Sequence, residues 1–198
     1  MYYILAFGLL ILSIIISSSV KSRFKKYSKN RAMCGLTGAQ VAQRILQNNG
    51  IYDVQINQIP GNLTDNYNPR NKTLNLSESV CNKCSVSAIV VAAHECGHAI
   101  QHATNYSPLV LRKSLVPITN ISSSLSSILI LIGMFMQSAN LITFGAILFS
   151  IIVMFHLITL PVEIDASKRA MLQLQGMGLL AETEVRGGKK VLTVAGMT

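Results

Sequence analysis

The sequence predicts an α+β, mostly helical protein in which a small domain is anchored in a membrane by apolar helices. Half of the 198 residues are hydrophobic and only 13% are charged, whereas ordinary soluble domains carry about 25% charged residues. Three long apolar runs lie along the chain, and the polar region between the first two mixes helical and strand patterns. A chain of this length holds one compact domain and a few membrane spans, but not two sizeable soluble domains.

The three apolar runs predict an N-terminal transmembrane helix and a transmembrane helical hairpin. The first run fills residues 1–20 and is followed, rather than preceded, by basic residues, which is the reverse of a signal peptide. The other two runs fill 117–136 and 141–160, and each has the length of about 20 residues that crosses a ~30 Å hydrocarbon core. Because the joint at 137–140 is short and uncharged, these two helices are expected to form a hairpin.

The positions of the basic residues predict the membrane topology. All 17 lysines and arginines lie in two stretches, 21–113 and 168–190. The positive-inside rule places both stretches in the cytoplasm and the N-terminus outside. The chain then divides into an anchor, a cytoplasmic region, the hairpin and a second cytoplasmic segment, at 1–20, 21–116, 117–160 and 161–198. The apolar residues 191–195 fit either the natural end of the chain or the start of a further span.

The net charge of +9 does not predict a nucleic-acid partner. The basic residues flank apolar runs, and the sequence contains no aromatic-rich RNA motif and no obvious DNA-reading helix. The four cysteines are expected to be free thiols in a reducing compartment. One C-x-x-C pair, Cys81 to Cys84, is too little for a zinc ribbon.

The polar region is predicted to contain two helices and two strands. Thr37 can cap a helix over 37–50, and alternating residues favour a half-buried strand at 73–77. A strand is also expected at 51–59, a loop at 61–72 and a second helix at 85–101.

That second helix contains the motif with the clearest chemistry, His94-Glu95-Cys96-Gly97-His98, which fits H-E-x-x-H. Residues four apart share a helix face, so His94 and His98 can bind one tetrahedral zinc ion. Glu95 lies beside the metal, where it can take a proton from zinc-bound water. A catalytic zinc ion needs a third protein ligand and an open fourth position. Glu163 and Asp165, where the third apolar run ends, are the two candidates for that ligand.

The residues around this motif resemble the YugP-type membrane zinc metallopeptidases. The resemblance rests on residues 91–101, with 63–70 upstream and 160–167 downstream, and that family is similar in layout to the HtpX-like gluzincins. It implies a zincin-like domain in which His94, His98 and Glu163 hold one Zn²⁺ and Glu95 is the catalytic base. It also implies peptide or protein substrates, membrane proteins among them, and an active site on the cytoplasmic side of a bacterial plasma membrane.

Two other functions fit parts of the sequence. An intramembrane protease would need the motif inside a span, but the apolar lead-in at 88–93 is too short. The alternative that stays open is a catalytically silent zinc-binding membrane scaffold or adaptor. The intact Glu95 argues against it, because a structural zinc site needs no base and usually has four ligands.

Three further expectations concern the surroundings of the motif. The donor that would stabilise an oxyanion is one of His102, Tyr106, Asn66 and Tyr67, and the sequence does not choose among them. The strand at 73–77 could pair with an extended peptide along its edge. Cys96, inside the motif, is expected to make the site sensitive to oxidation.

Overall fold

The computed structural model describes residues 18–195, with side chains to residue 193. Residues 18–28 are helical (α1), so the predicted N-terminal span lies outside the described residues except for its last three positions. The other elements are α2 (Gly38–Asn48), β1 (Gln55–Ile59), β2 (Asn66–Asn68), β3 (Thr73–Ser77), α3 (Glu78–Cys81), α4 (Val86–Ala103), α5 (Ser107–Phe135), α6 (Ala139–Gly176) and α7 (Glu182–Ala195). The predicted mostly helical fold with a small sheet is confirmed.

The chain forms two compact units. Of the described residues, one unit contains 18–104 and 163–195, and the other is Asn105–Val162. The first unit therefore combines two stretches that are far apart in sequence. Helix α6 begins in the second unit and ends in the first.

The sheet of the first unit has the order β1-β3-β2. Strand β1 runs parallel to β3, and β2 runs antiparallel to it. The predicted strand at 73–77 is confirmed, but it is the central strand, with Leu74 and Leu76 fully buried. The hypothesis that its edge receives a peptide is therefore wrong, since both edges of β3 are paired.

The predicted loop at 61–72 is wrong in part, because β2 lies within it. Three residues are too few to show an alternating pattern, although Tyr67 between the two asparagines is partly buried against the core, so pairing with β3 decides their conformation. Beside β2, both oxygens of the Asp65 carboxylate accept hydrogen bonds from Ser77, at 2.7 Å from the backbone N–H and 3.0 Å from the hydroxyl. These bonds fix the segment before β2 against the end of β3.

Helix α4 lies in the centre of the first unit. Most of its residues are buried, because it contacts α2, α7 and the sheet. The Ser85 hydroxyl caps its start by accepting from the Ala88 N–H. On one side it meets the apolar face of α2, whose start is capped by Thr37 as predicted. On another it meets α7, where the apolar residues Val191 and Leu192 are buried in the same core.

The C-terminal part of α6 packs closely against α4. Helix α6 continues without a break from the apolar run through Pro161 to Gly176. Beyond that proline, small and apolar residues at helical spacing are buried, among them Ala166, Ala170 and Leu174. A Cβ atom added at Gly97 would lie 2.4 Å from the Ala166 carbonyl oxygen. The two backbones can approach this closely because residue 97 has no side chain.

The second unit is a helical hairpin made by α5 and the first part of α6. Gly133 lies against Ile142, and Gly145 lies against Ile130, so the two helices are antiparallel. Small residues at such contacts let apolar helices pack closely. Both helices are long and apolar enough to cross a membrane by length and composition. Many of their large apolar side chains are exposed, which suits surroundings of lipid.

Replacing Gly97 by alanine should destabilise the first unit. The added methyl group would overlap the backbone at Ala166, and overpacking of this kind typically costs about 1–3 kcal/mol. The midpoint of thermal or urea denaturation of the detergent-purified protein measures the loss. Gly176→Ala is the matched control, because a Cβ atom there meets nothing within 4 Å. Equal midpoints for the two variants would contradict the close packing described above.

Candidate metal centre

Two histidines of α4 and one glutamate of α6 converge in the first unit. The Glu163 Oε2 atom lies 3.2 Å from His94 Nε2 and 3.4 Å from His98 Nε2. The two imidazole rings are nearly perpendicular, with centroids 4.8 Å apart. One ligand atom from each of the three residues lies within 4.8 Å of the others. Among the described residues, this is the cluster that could hold a metal ion.

The spacing of these atoms fits a tetrahedral zinc ion. Zinc bonds of ~2.0–2.2 Å to nitrogen and oxygen put neighbouring ligand atoms about 3.4 Å apart at the tetrahedral angle. Both distances from the Glu163 oxygen lie close to that value. Two imidazoles and one carboxylate also form a typical donor set for catalytic zinc, which keeps a fourth position open.

Helix geometry separates Glu163 from Asp165, the other candidate ligand. Two residues along a helix turn the side chain by roughly 200°, so Asp165 points away from the cluster. Its Oδ2 atom accepts hydrogen bonds from Gln101 Nε2 at 2.9 Å and from Arg169 Nε at 2.6 Å. The structure therefore brings Glu163, and not Asp165, to the two histidines.

Each histidine has a second partner on its other ring nitrogen. His94 Nδ1 lies 3.2 Å from the Ser167 hydroxyl, and His98 Nδ1 lies 3.0 Å from Gln101 Oε1. Such partners orient metal-binding imidazoles and select the nitrogen that faces the metal. Sequence reasoning missed Ser167 and Gln101. Their spacing could have indicated them, because Ser167 lies one helical turn after Glu163 and Gln101 lies three residues after His98, so each shares a helix face with a predicted zinc ligand.

Burial and charge act in opposite directions in this cluster. Burial by itself would raise the pKa of Glu163, but hydrogen bonds from the two imidazoles outweigh it and place that pKa below its usual range. Burial would likewise lower the pKa of His98, yet the neighbouring carboxylates Glu163 and Glu95 raise it overall. The interaction between Glu163 and His98 therefore favours an ionised carboxylate beside a positively charged imidazole.

Glu95 is the next residue on α4 and is only 8% exposed. Burial is the main cause that raises its pKa, and the negative charges of Asp65 and Glu163 add to the effect. The positive charge of the two histidines acts in the opposite direction. A carboxyl group in such surroundings accepts a proton more readily than one in water.

Two of the four candidate oxyanion donors are bonded to each other. The Tyr67 hydroxyl lies 2.8 Å from His102 Nδ1, and burial raises the pKa of Tyr67 to about 12. Asn66 is also engaged, since it donates to the Thr64 carbonyl and accepts from Asn75. The contacts link β2 to the end of α4 without selecting one donor.

Cys96 faces the core rather than the cluster. Its side chain is fully buried, and its Sγ donates a hydrogen bond to the Ala42 carbonyl of α2 over 3.6 Å. Burial raises the pKa of this thiol well above its ordinary value. Because thiolates are the oxidisable form, the structure argues against the expectation that Cys96 makes the site sensitive to oxidation.

Comparison with known proteins gives the family. The family described as "Putative neutral zinc metallopeptidase" matches residues 2–198, so the chain belongs to that family, as the resemblance predicted. The "Putative membrane protease YugP" of Bacillus subtilis (strain 168) is 49% identical over 179 residues, which cover 90% of this chain and 80% of that protein. No solved structure matches the chain.

Cys96 should resist alkylation in the folded protein. Cys34 and Cys84 are partly exposed and should react with a maleimide first, whereas Cys96 should react only after denaturation. Peptide mapping by mass spectrometry measures the label at each cysteine. Labelling of Cys96 at the rate of Cys34 would show that the contact between α2 and α4 opens readily.

Proposed function

We propose that this protein is a zinc-dependent endopeptidase that hydrolyses peptide bonds at the cytoplasmic face of the plasma membrane. His94, His98 and Glu163 hold one Zn²⁺, and Glu95 is the catalytic base. The observation that carries the proposal is the convergence of two imidazoles on one carboxylate, with Glu163 at 3.2 and 3.4 Å from the two histidine nitrogens and the buried Glu95 next to His94 in the chain. Membership of the family described as "Putative neutral zinc metallopeptidase" supports the same reaction.

The metal ligands and the base have different roles in the proposed hydrolysis. A bound zinc ion supplies Lewis-acid chemistry, which makes water a nucleophile near neutral pH and polarises the scissile carbonyl. Glu95 accepts the proton that water loses as it attacks and returns it to the leaving amine. His94, His98 and Glu163 would hold the ion, and a catalytic zinc ion with three protein ligands would leave one position open to water.

Membrane association and sidedness rest on the helices and on charge. Two apolar helices are long enough to span a bilayer, and the relative from Bacillus subtilis is named a membrane protease. The basic residues on both sides of the hairpin favour a cytoplasmic first unit. Glu163 follows the apolar run 141–160 by three residues in sequence. Segments of membrane proteins are therefore proposed among the substrates, although peptides in general fit the same chemistry.

A catalytically silent scaffold is the second candidate. It would use the same zinc ligands but would need no base. Burying a carboxyl group costs free energy unless it is hydrogen-bonded or paired with an opposite charge, and a scaffold would have no need for one at position 95. Glu95 is therefore the residue whose replacement separates the two functions.

Replacing Glu163 by glutamine should weaken zinc binding by more than about 100-fold. The amide lacks the charge that a zinc ligand supplies, and losing even an outer partner of a ligand costs about 10–100-fold. Chelator competition on the purified full chain measures the dissociation constant. Glu78→Gln, at an exposed position on α3, is the control and should keep the wild-type value. Wild-type affinity in Glu163→Gln would remove this ligand from the proposal.

Replacing Glu95 by glutamine should abolish cleavage while zinc stays bound. The change keeps the size of the side chain but removes the base, and general-base catalysis contributes about 10²–10⁴-fold to rate. Cleavage of casein and of quenched peptides, together with metal analysis, measures both properties on the same samples. Equal cleavage by wild type and Glu95→Gln would refute the enzymatic role. Zinc binding without cleavage in either protein would favour the scaffold.

A further inference from the structure

Gln101 forms a buried bridge between the two helices of the zinc site. Its side chain has no exposed area, so both ends of the amide depend on protein partners. The oxygen end meets His98 Nδ1 at 3.0 Å. The nitrogen end donates to Asp165 Oδ2 at 2.9 Å. The bridge therefore joins a carboxylate of α6 to a histidine of α4.

Along this bridge, the chemistry of each group fixes which atom donates and which accepts. An ionised carboxylate only accepts hydrogen bonds, so the amide NH₂ of Gln101 must face Asp165. The amide oxygen must then face the imidazole, and an amide oxygen also only accepts. His98 Nδ1 must therefore carry a proton. The other nitrogen, Nε2, is the one that faces Glu163.

Arg169 strengthens this direction. Its Nε–H donates to the same Asp165 oxygen at 2.6 Å, one turn further along α6. Gln101 and Arg169 thus both donate to Asp165 Oδ2, so this atom must be an acceptor. Asp165 therefore orients His98 through Gln101, without a direct contact with the imidazole.

The partner of His94 does not impose a direction. The Ser167 hydroxyl lies 3.2 Å from His94 Nδ1, and a hydroxyl group can both donate and accept. The protonation of His94 is therefore not fixed by its neighbour, in contrast to that of His98. This difference makes His94 an internal control.

We propose that Asp165, acting through Gln101, is a positioning residue that holds the proton of His98 on Nδ1 and thereby directs Nε2 to the metal. The inference rests on the zinc-binding part of the proposed function and is independent of peptide cleavage. It also gives a role to the carboxylate that competed with Glu163 as a ligand on sequence grounds.

The test compares two replacements of Asp165 in the full-length zinc-loaded protein. Asp165→Ala removes the acceptor, so the Gln101 amide can turn and present its NH₂ to the ring. Asp165→Asn can place an oxygen where Oδ2 lies and accept from the same two donors. We expect zinc affinity to fall about 10–100-fold in Asp165→Ala and to stay within about threefold of wild type in Asp165→Asn.

A spectroscopic measurement separates this role from a merely structural one. The chain has four histidines, so the ring N–H signals of a histidine-labelled sample can be assigned by single substitutions. In Asp165→Ala, exchange of the His98 Nδ1–H with water should become about tenfold faster, which corresponds to the loss of one hydrogen bond. The His94 signal should not change. Arg169→Met, which leaves the carboxylate in place, should affect exchange less than Asp165→Ala.

Three results would overturn the inference. These are an unchanged His98 exchange rate in Asp165→Ala, equal losses of zinc affinity in the alanine and asparagine variants, or equal changes at His94 and His98. Glu163→Gln is measured in the same assay. If it too keeps wild-type zinc affinity, the zinc site itself fails, whereas a loss in Glu163→Gln alone rejects only the role of Asp165.

Discussion

The close contact between α4 and the C-terminal part of α6 is the constraint on which the site depends. Gly97 lies directly against the Ala166 backbone, and this approach brings a glutamate from residue 163 to histidines at 94 and 98. A carboxylate oxygen binds zinc at about 2.0–2.2 Å. If a methyl group at residue 97 pushed the two helices apart, the Glu163 carboxylate would lie too far from the histidines to share a metal ion with them. The glycine inside the H-E-x-x-H motif is thus required by packing, whereas the proposed function assigns the chemistry to His94, Glu95 and His98.

The cluster is also a concentration of buried polar groups, and the fold satisfies them in a connected way. Among the described residues, no buried side-chain nitrogen or oxygen lacks a hydrogen-bond partner. Ser167 and Gln101 occupy the outer nitrogens of the two histidines, and Asp165 occupies the far end of Gln101. Buried polar networks stabilise a unique arrangement only when every member is satisfied. The outer partners therefore hold the two histidines in the orientation in which their Nε2 atoms face Glu163.

A single helix connects the apolar hairpin to the proposed zinc ligand. Helix α6 extends from Ala139 to Gly176, so Glu163 follows the second helix of the hairpin within the same secondary-structure element. The proposed third ligand lies far in sequence from the first two because the hairpin is inserted between them.

The sequence by itself determined the local chemistry and the long periodic elements. His94 and His98 are four residues apart, which places them on one face of a helix. The strand at 73–77 was predicted from alternating residues, and the helices of the hairpin from long apolar runs. Each of these features depends on residues that are close together in the chain, so it can be predicted from the sequence alone. The family followed from the same motif and its flanking residues.

The residues alone left both Glu163 and Asp165 as candidates, and the family resemblance favoured Glu163. Only the tertiary structure shows the physical difference, because Glu163 faces the two histidines whereas Asp165 faces Gln101 and Arg169. It also decided that β2 exists and that β3 is central, because pairing with β3 sets the conformation of the short segment 66–68, and β1 pairs with the other edge of β3. The bridge from Asp165 through Gln101 to His98 joins residues that are more than sixty positions apart. No local pattern encodes such a contact, because it arises from the packing of one helix on another.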